Sequence, residues 1–135
     1  MDQATIDRHV SEARIAHLAT IGPDGRPHLV PICFAIAENT LYFAIDHKPK
    51  RRLDLQRLRN IQANSRVSIL VDHYEDDWTK LWWIRLDGHA SEVTGARRMR
   101  GLELLEDRYS QYATTRPPGP VVAVQIDHTV AWDGA

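Results

Sequence analysis

Three apolar runs, separated by short turn signals, occupy residues 15–46 and constrain the fold more than any other feature of the chain. A turn rich in glycine and proline at residues 22–25 separates the first run from the second, and a polar turn at residues 38–40 separates the second from the third. Runs of strand-forming residues with such short connections predict an antiparallel meander. We expect its strands at residues 15–21, 28–37 and 41–46.

The rest of the chain predicts helices at three separate places and a second group of strands. Apolar residues recur at helical spacing in three segments, and the prolines at residues 117–120 end the last of them. Gly88 predicts a β-bulge within a long strand. The helices are expected at residues 2–14, 50–63 and 96–112, and the further strands at 66–73, 80–93, 121–126 and 128–132.

Six or seven strands in mostly antiparallel order, with helices at separate places, predict a mainly β fold of the α+β class. The expected architecture is a closed or split β-barrel with helices over its open ends. A length of 135 residues suits one domain, residues 1–135.

Composition and the length of the apolar runs disfavour several kinds of partner and several classes of protein. Lys and Arg number 17 and Asp and Glu 18, so no broad field favours nucleic acid or an anionic membrane. No apolar run approaches the roughly 20 residues of a membrane span, and the N-terminus lacks the pattern of a signal peptide. One cysteine, Cys33, excludes an intramolecular disulfide. These features predict a cytoplasmic protein.

A basic cluster lies where the third predicted strand gives way to the second predicted helix. The first turn of a helix has unpaired N–H groups and a partial positive charge, so cations placed there favour a phosphorylated ligand. Solvated surface charge is the alternative interpretation, and the position of the cluster favours the ligand. The cluster consists of Lys48, Lys50, Arg51 and Arg52.

The long strand at residues 80–93 has one apolar face and one mixed face. Trp82, Ile84 and Leu86 share the apolar face, which we expect in the core. The mixed face suits a subunit interface or a ligand cleft, or else a solvated exterior with an Arg85–Asp87 ion pair. It carries Trp83, Arg85, Asp87 and His89.

No catalytic motif stands out in the sequence. The seven histidines show no metal-ligand spacing, so we expect no metal site. Cys33 lies inside an apolar strand and is expected to be a small core residue rather than a nucleophile. If the protein is an enzyme, a bound cofactor would carry its chemistry.

Short segments spaced along the whole chain carry a family resemblance. The first group is IAHLAT at residues 15–20, GRPH at 25–28, VPI at 30–32, LYF at 41–43 and KPKR at 48–51. In this order they resemble the pyridoxamine 5′-phosphate oxidase-like split-barrel flavoproteins. The segments NSRVS at 64–68 and WWIRLDGHA at 82–90 resemble the actinobacterial branch that uses the deazaflavin coenzyme F420.

The resemblance implies a homodimer with two cofactor clefts at the subunit interface. F420 is the expected cofactor and flavin mononucleotide (FMN) the alternative. The implied contacts fall into four groups: Lys48, Lys50, Arg51 and Arg52 at the phosphate and tail, backbone of Pro31, Ile32 and Cys33 facing the ring, Asp46 and His47 along the ring edge, and Trp83 and Arg85 reaching in from the other subunit.

The function implied is reduction of an unsaturated or conjugated small molecule by hydride from reduced F420. The alternatives are an FMN-dependent oxidase or reductase of the same fold, and a non-catalytic module that binds flavin, deazaflavin or haem. Pyridoxamine-phosphate oxidation is not expected, because the basic C-terminal substrate motif of those oxidases is absent. His28, His47 or solvent could deliver a proton to the acceptor.

Overall fold

The computed structural model describes residues 1–45 and 53–135, and within them seven strands form one antiparallel sheet. The strand order is β2-β1-β5-β6-β7-β4-β3. The strands are β1 (Ala16–Ile21), β2 (Pro27–Ile32), β3 (Ala35–Ala37), β4 (Thr40–Ala44), β5 (Arg66–His73), β6 (Trp82–Val93) and β7 (Val121–Asp133). The helices are α1 (Gln3–Glu12), α2 (Leu53–Ala63), α3 (Gly95–Arg108) and α4 (Ser110–Thr114), with a 3-10 turn at Trp78–Lys80 before β6.

The sheet curls so that its two edges approach each other. β2 and β3 lie at opposite edges of the strand order, yet only Cys33 and Phe34 separate them in sequence. The Cα atoms of Ile32 and Ala35 therefore lie within about 11 Å of each other. This confirms the split-barrel prediction, with seven strands and flanking helices.

The predicted strand at residues 28–37 is wrong as a single element. β2 pairs with β1, whereas β3 pairs with β4 at the far edge, so the chain changes partner at Cys33 and Phe34. The backbone N–H of Phe34 donates to the Tyr109 hydroxyl instead of to a strand (3.0 Å). A tertiary contact from Tyr109, the residue that follows α3, thus lies where the strand ends.

Three further boundaries also differ from the prediction. The helix expected at residues 96–112 is interrupted at Tyr109, whose backbone is extended (φ −123°, ψ 113°). The two strands expected at the C-terminus form one strand, β7, because β6 pairs with it from Trp82 to Val93. Residues 80 and 81 precede β6 rather than belonging to it.

The bulge predicted at Gly88 is confirmed. The register shifts between Asp87, which pairs with His128, and Gly88, which pairs with Ile126, so Asp127 is the extra residue on β7. A Cβ atom on Gly88 would lie 2.1 Å from the backbone oxygen of Gln125. Only glycine permits this close approach of the two backbones.

The core fills the inner side of the curled sheet. Val10 of α1 and Leu58 and Ile61 of α2 pack into the same cluster as the inward residues of the strands. Ile84 and Leu86 are buried there and Trp82 packs against them, which confirms the predicted apolar face of β6. A second cluster joins Leu102 and Leu105 of α3 to the opposite side of β4 and β7, and half-buried Cys33 packs against it.

Candidate functional site

The side of the sheet that faces away from the core, here called the outer face, carries side chains in regular rows. Along β1, β5 and β6 its residues alternate with the buried ones. The strand register sets two central rows, Pro31–His17–Leu70–Arg85–Val130 and Leu29–Ala19–Ser68–Asp87–His128.

Three of the predicted site residues share the outer face. Pro31 and Arg85 stand in one row, three strands apart, which is about 14 Å at roughly 4.8 Å for each step between strands. Trp83 lies two residues from Arg85 on β6 and pairs with Trp132. Ile32 points to the opposite side, is 5% exposed and pairs with Ala16 of β1, so its side chain does not reach the outer face.

Arg85 is held by an acidic neighbour on its own strand. Its Nε and Nη2 atoms donate to the two carboxylate oxygens of Asp87 at 3.0 and 3.1 Å, and Ser68 Oγ donates to the same carboxylate at 2.7 Å. Partial burial alone would raise the pKa of Asp87, but the bonds from Arg85 and Ser68 outweigh it and hold that pKa below its ordinary value. Arg85 is thereby fixed in position with part of its charge offset.

The free edge of β2 offers backbone hydrogen-bonding groups beside the outer face. β2 pairs with β1 on one side and stands last in the strand order on the other. Residue pairs in an antiparallel ladder alternate between pairs that exchange hydrogen bonds and pairs that do not, and Pro31, which has no N–H, forms a pair of the second kind with His17. In pairs of the second kind, the backbone N–H and carbonyl of the β2 residue point away from β1, to the open edge. The N–H of Leu29 and the carbonyls of Leu29 and Pro31 therefore line that edge.

The chain just beyond β2 is anchored by α3. The Tyr109 hydroxyl accepts from the N–H of Phe34, and Arg108 Nη1 donates to the Phe34 carbonyl at 2.9 Å. The Arg108 guanidinium also lies over the Phe34 ring and donates to the Ala13 carbonyl. Burial lowers the pKa of Arg108. No local signal in the sequence marks Arg108, and Tyr109 falls within the helix predicted at residues 96–112.

Six predicted site residues, Asp46, His47, Lys48, Lys50, Arg51 and Arg52, lie outside the described residues, so their roles stay predictions. His28 is described, and it shares the inward phase of Val30 and Ile32. Its side chain therefore lies on the other side of β2 from Pro31, which disfavours it as a proton donor to a ligand on the outer face.

Within residues 1–45 and 53–135 no group of three or more His, Cys, Asp or Glu side chains is arranged to hold a metal ion. In the same part of the chain no helix is both long and apolar enough to cross a bilayer.

Residues 3–133 match the family described as pyridoxamine 5′-phosphate oxidase. The chain belongs to this family. Among solved structures, conserved hypothetical protein Rv2991 from Mycobacterium tuberculosis is similar with a TM-score of 0.80 and 26% identity, over 99% of this chain and 86% of that one. No curated protein matches the sequence.

Two more distant members of the fold have named ligands. A FAD-binding protein from Mesorhizobium loti has a TM-score of 0.71 and 19% identity, over 97% of this chain and 94% of that one. HutZ, the haem storage protein from Vibrio cholerae, has a TM-score of 0.75 and 18% identity, over 97% and 93% respectively. At these identities the likeness shows the pyridoxamine 5′-phosphate oxidase-like fold. F420 use is not shown by these comparisons.

Proposed function

We propose that the protein is an F420-dependent oxidoreductase that passes a hydride between the deazaflavin and a small conjugated molecule. The observation that carries this proposal is the edge of β2 with which no described strand pairs, beside an outer face on which Pro31 and Arg85 are exposed and Trp83 is half-buried. Membership of the pyridoxamine 5′-phosphate oxidase family supports a flavin-like ligand. The resemblance of residues 64–68 and 82–90 to the F420 branch favours the deazaflavin.

The chemistry of the β2 edge suits a ring of this kind. A flavin or deazaflavin has one ring edge on which N–H and C=O groups alternate. The Leu29 N–H can donate to a ring carbonyl and the Leu29 carbonyl can accept from the ring N–H, and both groups belong to a strand that β1 holds in place. A bound deazaflavin would supply the hydride, while the residues of this chain would orient its ring and keep water from the acceptor.

The ligand's anionic groups are assigned to the basic cluster. Lys48, Lys50, Arg51 and Arg52 stand in the sequence between β4 and α2, and Arg57 and Arg59 follow on α2. One phosphate requires fewer cations than this. F420 carries an acidic polyglutamyl tail beyond its phosphate, whereas FMN ends at the phosphate, so the number of cations favours F420.

The proposed cleft is completed by a second copy of the chain. Leu29 and Trp132 are 67% and 46% exposed on the outer face, and Trp83 pairs with Trp132. Burying such side chains against a partner is favourable, because each removes a large apolar area from water. A homodimer would cover the ring on its second side and bring Trp83 and Arg85 of one subunit to the ligand of the other.

A titration with F420 and with FMN tests the cofactor assignment. We expect F420 to bind at least tenfold more tightly than FMN, a difference of about 1.4 kcal/mol. Raising the salt concentration should reduce the difference between the two affinities, because salt screens the attraction between the F420 tail and the cations. Equal or reversed affinities at low salt would overturn the choice of F420 and favour FMN.

A double variant tests the phosphate site. Lys50→Ala with Arg52→Ala should weaken binding of either cofactor, since each charge-assisted bond to a phosphate contributes about 1.5–3 kcal/mol. The matched control is Arg97→Ala with Arg100→Ala, which removes two exposed cations from α3. Equal affinity of the two double variants by fluorescence titration would contradict the assignment.

A haem-binding module is the second candidate. His17 and His128 both stand on the outer face, where imidazole could ligate a haem iron. Haem titration of the purified protein distinguishes the candidates. A saturable Soret shift that His17→Ala abolishes, without turnover of any reduced cofactor, would favour this function.

A further inference from the structure

A cavity of about 430 Å³ lies on the inner side of the sheet, between α1, the β3–β4 turn and strands β6 and β7. Its floor is apolar and consists of Ile6, Val10, Ile36, Leu86 and Ile126. Leu86 and Ile126 are 3% and 5% exposed and point towards the core. The cavity is therefore on the opposite side of the sheet from the outer face and is distinct from the proposed cofactor cleft.

The rim of this cavity is polar and acidic. Asp7 and Glu38 contribute carboxylates and Gln3 and Asn39 contribute amides, while none of the described lining residues is Lys, Arg or His. The Asp7 carboxylate is steadied by Gln3 Nε2, which donates to it at 2.8 Å. The described lining thus combines an apolar floor with two carboxyl groups at the rim and no basic side chain.

The Glu38 side of the rim is held rigidly. Glu38 and Asn39 both have positive φ (52° and 67°), as a tight turn between paired strands requires. Asn39 is tied to β7 twice, because its carbonyl accepts from the N–H of Ile126 (3.1 Å) and its Nδ2 donates to the Ile126 carbonyl (3.3 Å). The backbone of the Glu38–Asn39 turn and the Ile126 floor therefore keep a fixed relation to each other.

We propose that this cavity binds a small organic cation with an apolar body, such as an alkylamine. Its volume falls within the roughly 300–1,000 Å³ of ligand pockets, and a barrel mouth is a common place for one. The apolar body would take the place of water over the aliphatic floor. The ammonium group would lie at the rim, where Asp7 and Glu38 offer opposite charge and Asn39 offers an amide oxygen.

Methyl NMR of the full chain tests this site with three octyl compounds of different charge. Octylammonium should cause saturable shifts of the Ile36, Leu86 and Ile126 methyl signals. Octan-1-ol should bind at the same methyls about threefold to tenfold more weakly, and octanoate more weakly still, since two partly exposed ion pairs account for the difference.

A charge-neutral variant tests the rim. Asp7→Asn with Glu38→Gln should weaken octylammonium binding about threefold to tenfold while leaving octan-1-ol binding unchanged. Asp24→Asn with Glu103→Gln removes two carboxylates outside the lining and should change neither.

The following results would each overturn the proposal. One is octanoate binding as tightly as octylammonium, and another is an unchanged octylammonium affinity in the Asp7→Asn, Glu38→Gln variant. Shifts confined to methyls of the second cluster, such as Leu105, would place the ligand elsewhere, and the absence of any saturable shift would show that the cavity takes no such ligand.

Discussion

Replacing Tyr109 by Phe should destabilise the fold by removing one buried hydroxyl. Tyr109 is 6% exposed, and its hydroxyl accepts from the Phe34 N–H and donates to the carbonyl of Phe34 or Arg14, each at 3.0 Å. The substitution keeps the ring, so the contact of the Arg14 guanidinium with it (4.7 Å) is retained. The substitution therefore removes only the hydrogen bonds of the Tyr109 hydroxyl, which hold the chain just after β2.

The magnitude follows from the bonds that are lost. The Phe34 N–H would be left buried without an acceptor, at a cost of about 1–3 kcal/mol, and the donated bond contributes about 0.5–1.5 kcal/mol more. The Phe34 carbonyl keeps its bond from Arg108. We expect a loss of about 2.5 kcal/mol in the free energy of unfolding. For a chain of 135 residues this lowers Tm by about 9 °C.

Urea unfolding at a fixed protein concentration, followed by circular dichroism, measures this loss. Tyr74→Phe is the matched control, because Tyr74 is 69% exposed and, among residues 1–45 and 53–135, its hydroxyl accepts only a long bond from Trp78 (3.4 Å). The control should differ from the wild type by less than about 0.5 kcal/mol. If Tyr109→Phe behaves like the control, the hydroxyl does not hold the chain between β2 and β3 and the reasoning is wrong.

Three further predictions concern the bulge, the outer face and the assembly. Gly88→Ala should destabilise the protein by about 2–4 kcal/mol in the same urea assay, because the new methyl group would collide with the backbone at Gln125; a loss below about 1 kcal/mol would contradict this. Arg85→Ala should raise the pKa of Asp87 in a carbon-13 NMR titration. Because the pKa of Asp87 is lowered in the folded protein, its ionised carboxylate stabilises the fold above about pH 4, and this contribution is lost as the pH falls through the lowered pKa. The free energy of unfolding of the Arg85→Ala variant should therefore decrease less in acid than that of the wild type. Light scattering should show a dimer at micromolar concentration, and a monomer would count heavily against a cleft shared by two subunits.

Most of the local structure could be predicted from short stretches of sequence. Apolar alternation placed β1, β5 and β6 to within two residues of their ends, and helical spacing placed α1. Gly88 signalled the bulge because glycine is the residue that a close backbone approach requires. These features are local, since each depends on residues that are neighbours in the chain or on the conformational freedom of one residue.

The sequence also predicted part of the candidate site. Period-2 alternation correctly put Trp83 and Arg85 on the face of β6 opposite Ile84, and it allowed for the Arg85–Asp87 pair that the structure contains. The basic cluster at residues 48–52 and its neighbours Asp46 and His47 remain predictions, because they lie outside the described residues.

Contacts between distant segments set where the chain leaves β2 for β3 and which residues of different strands lie side by side. The break between β2 and β3 depends on a bond from Phe34 to Tyr109, 75 residues later, and the single strand β7 depends on its pairing with β6. The row that joins Pro31 to Arg85 depends on the register of three strand pairs. No local pattern encodes such contacts, because the free energy that selects them comes from burial and hydrogen bonds between segments that only the folded chain brings together.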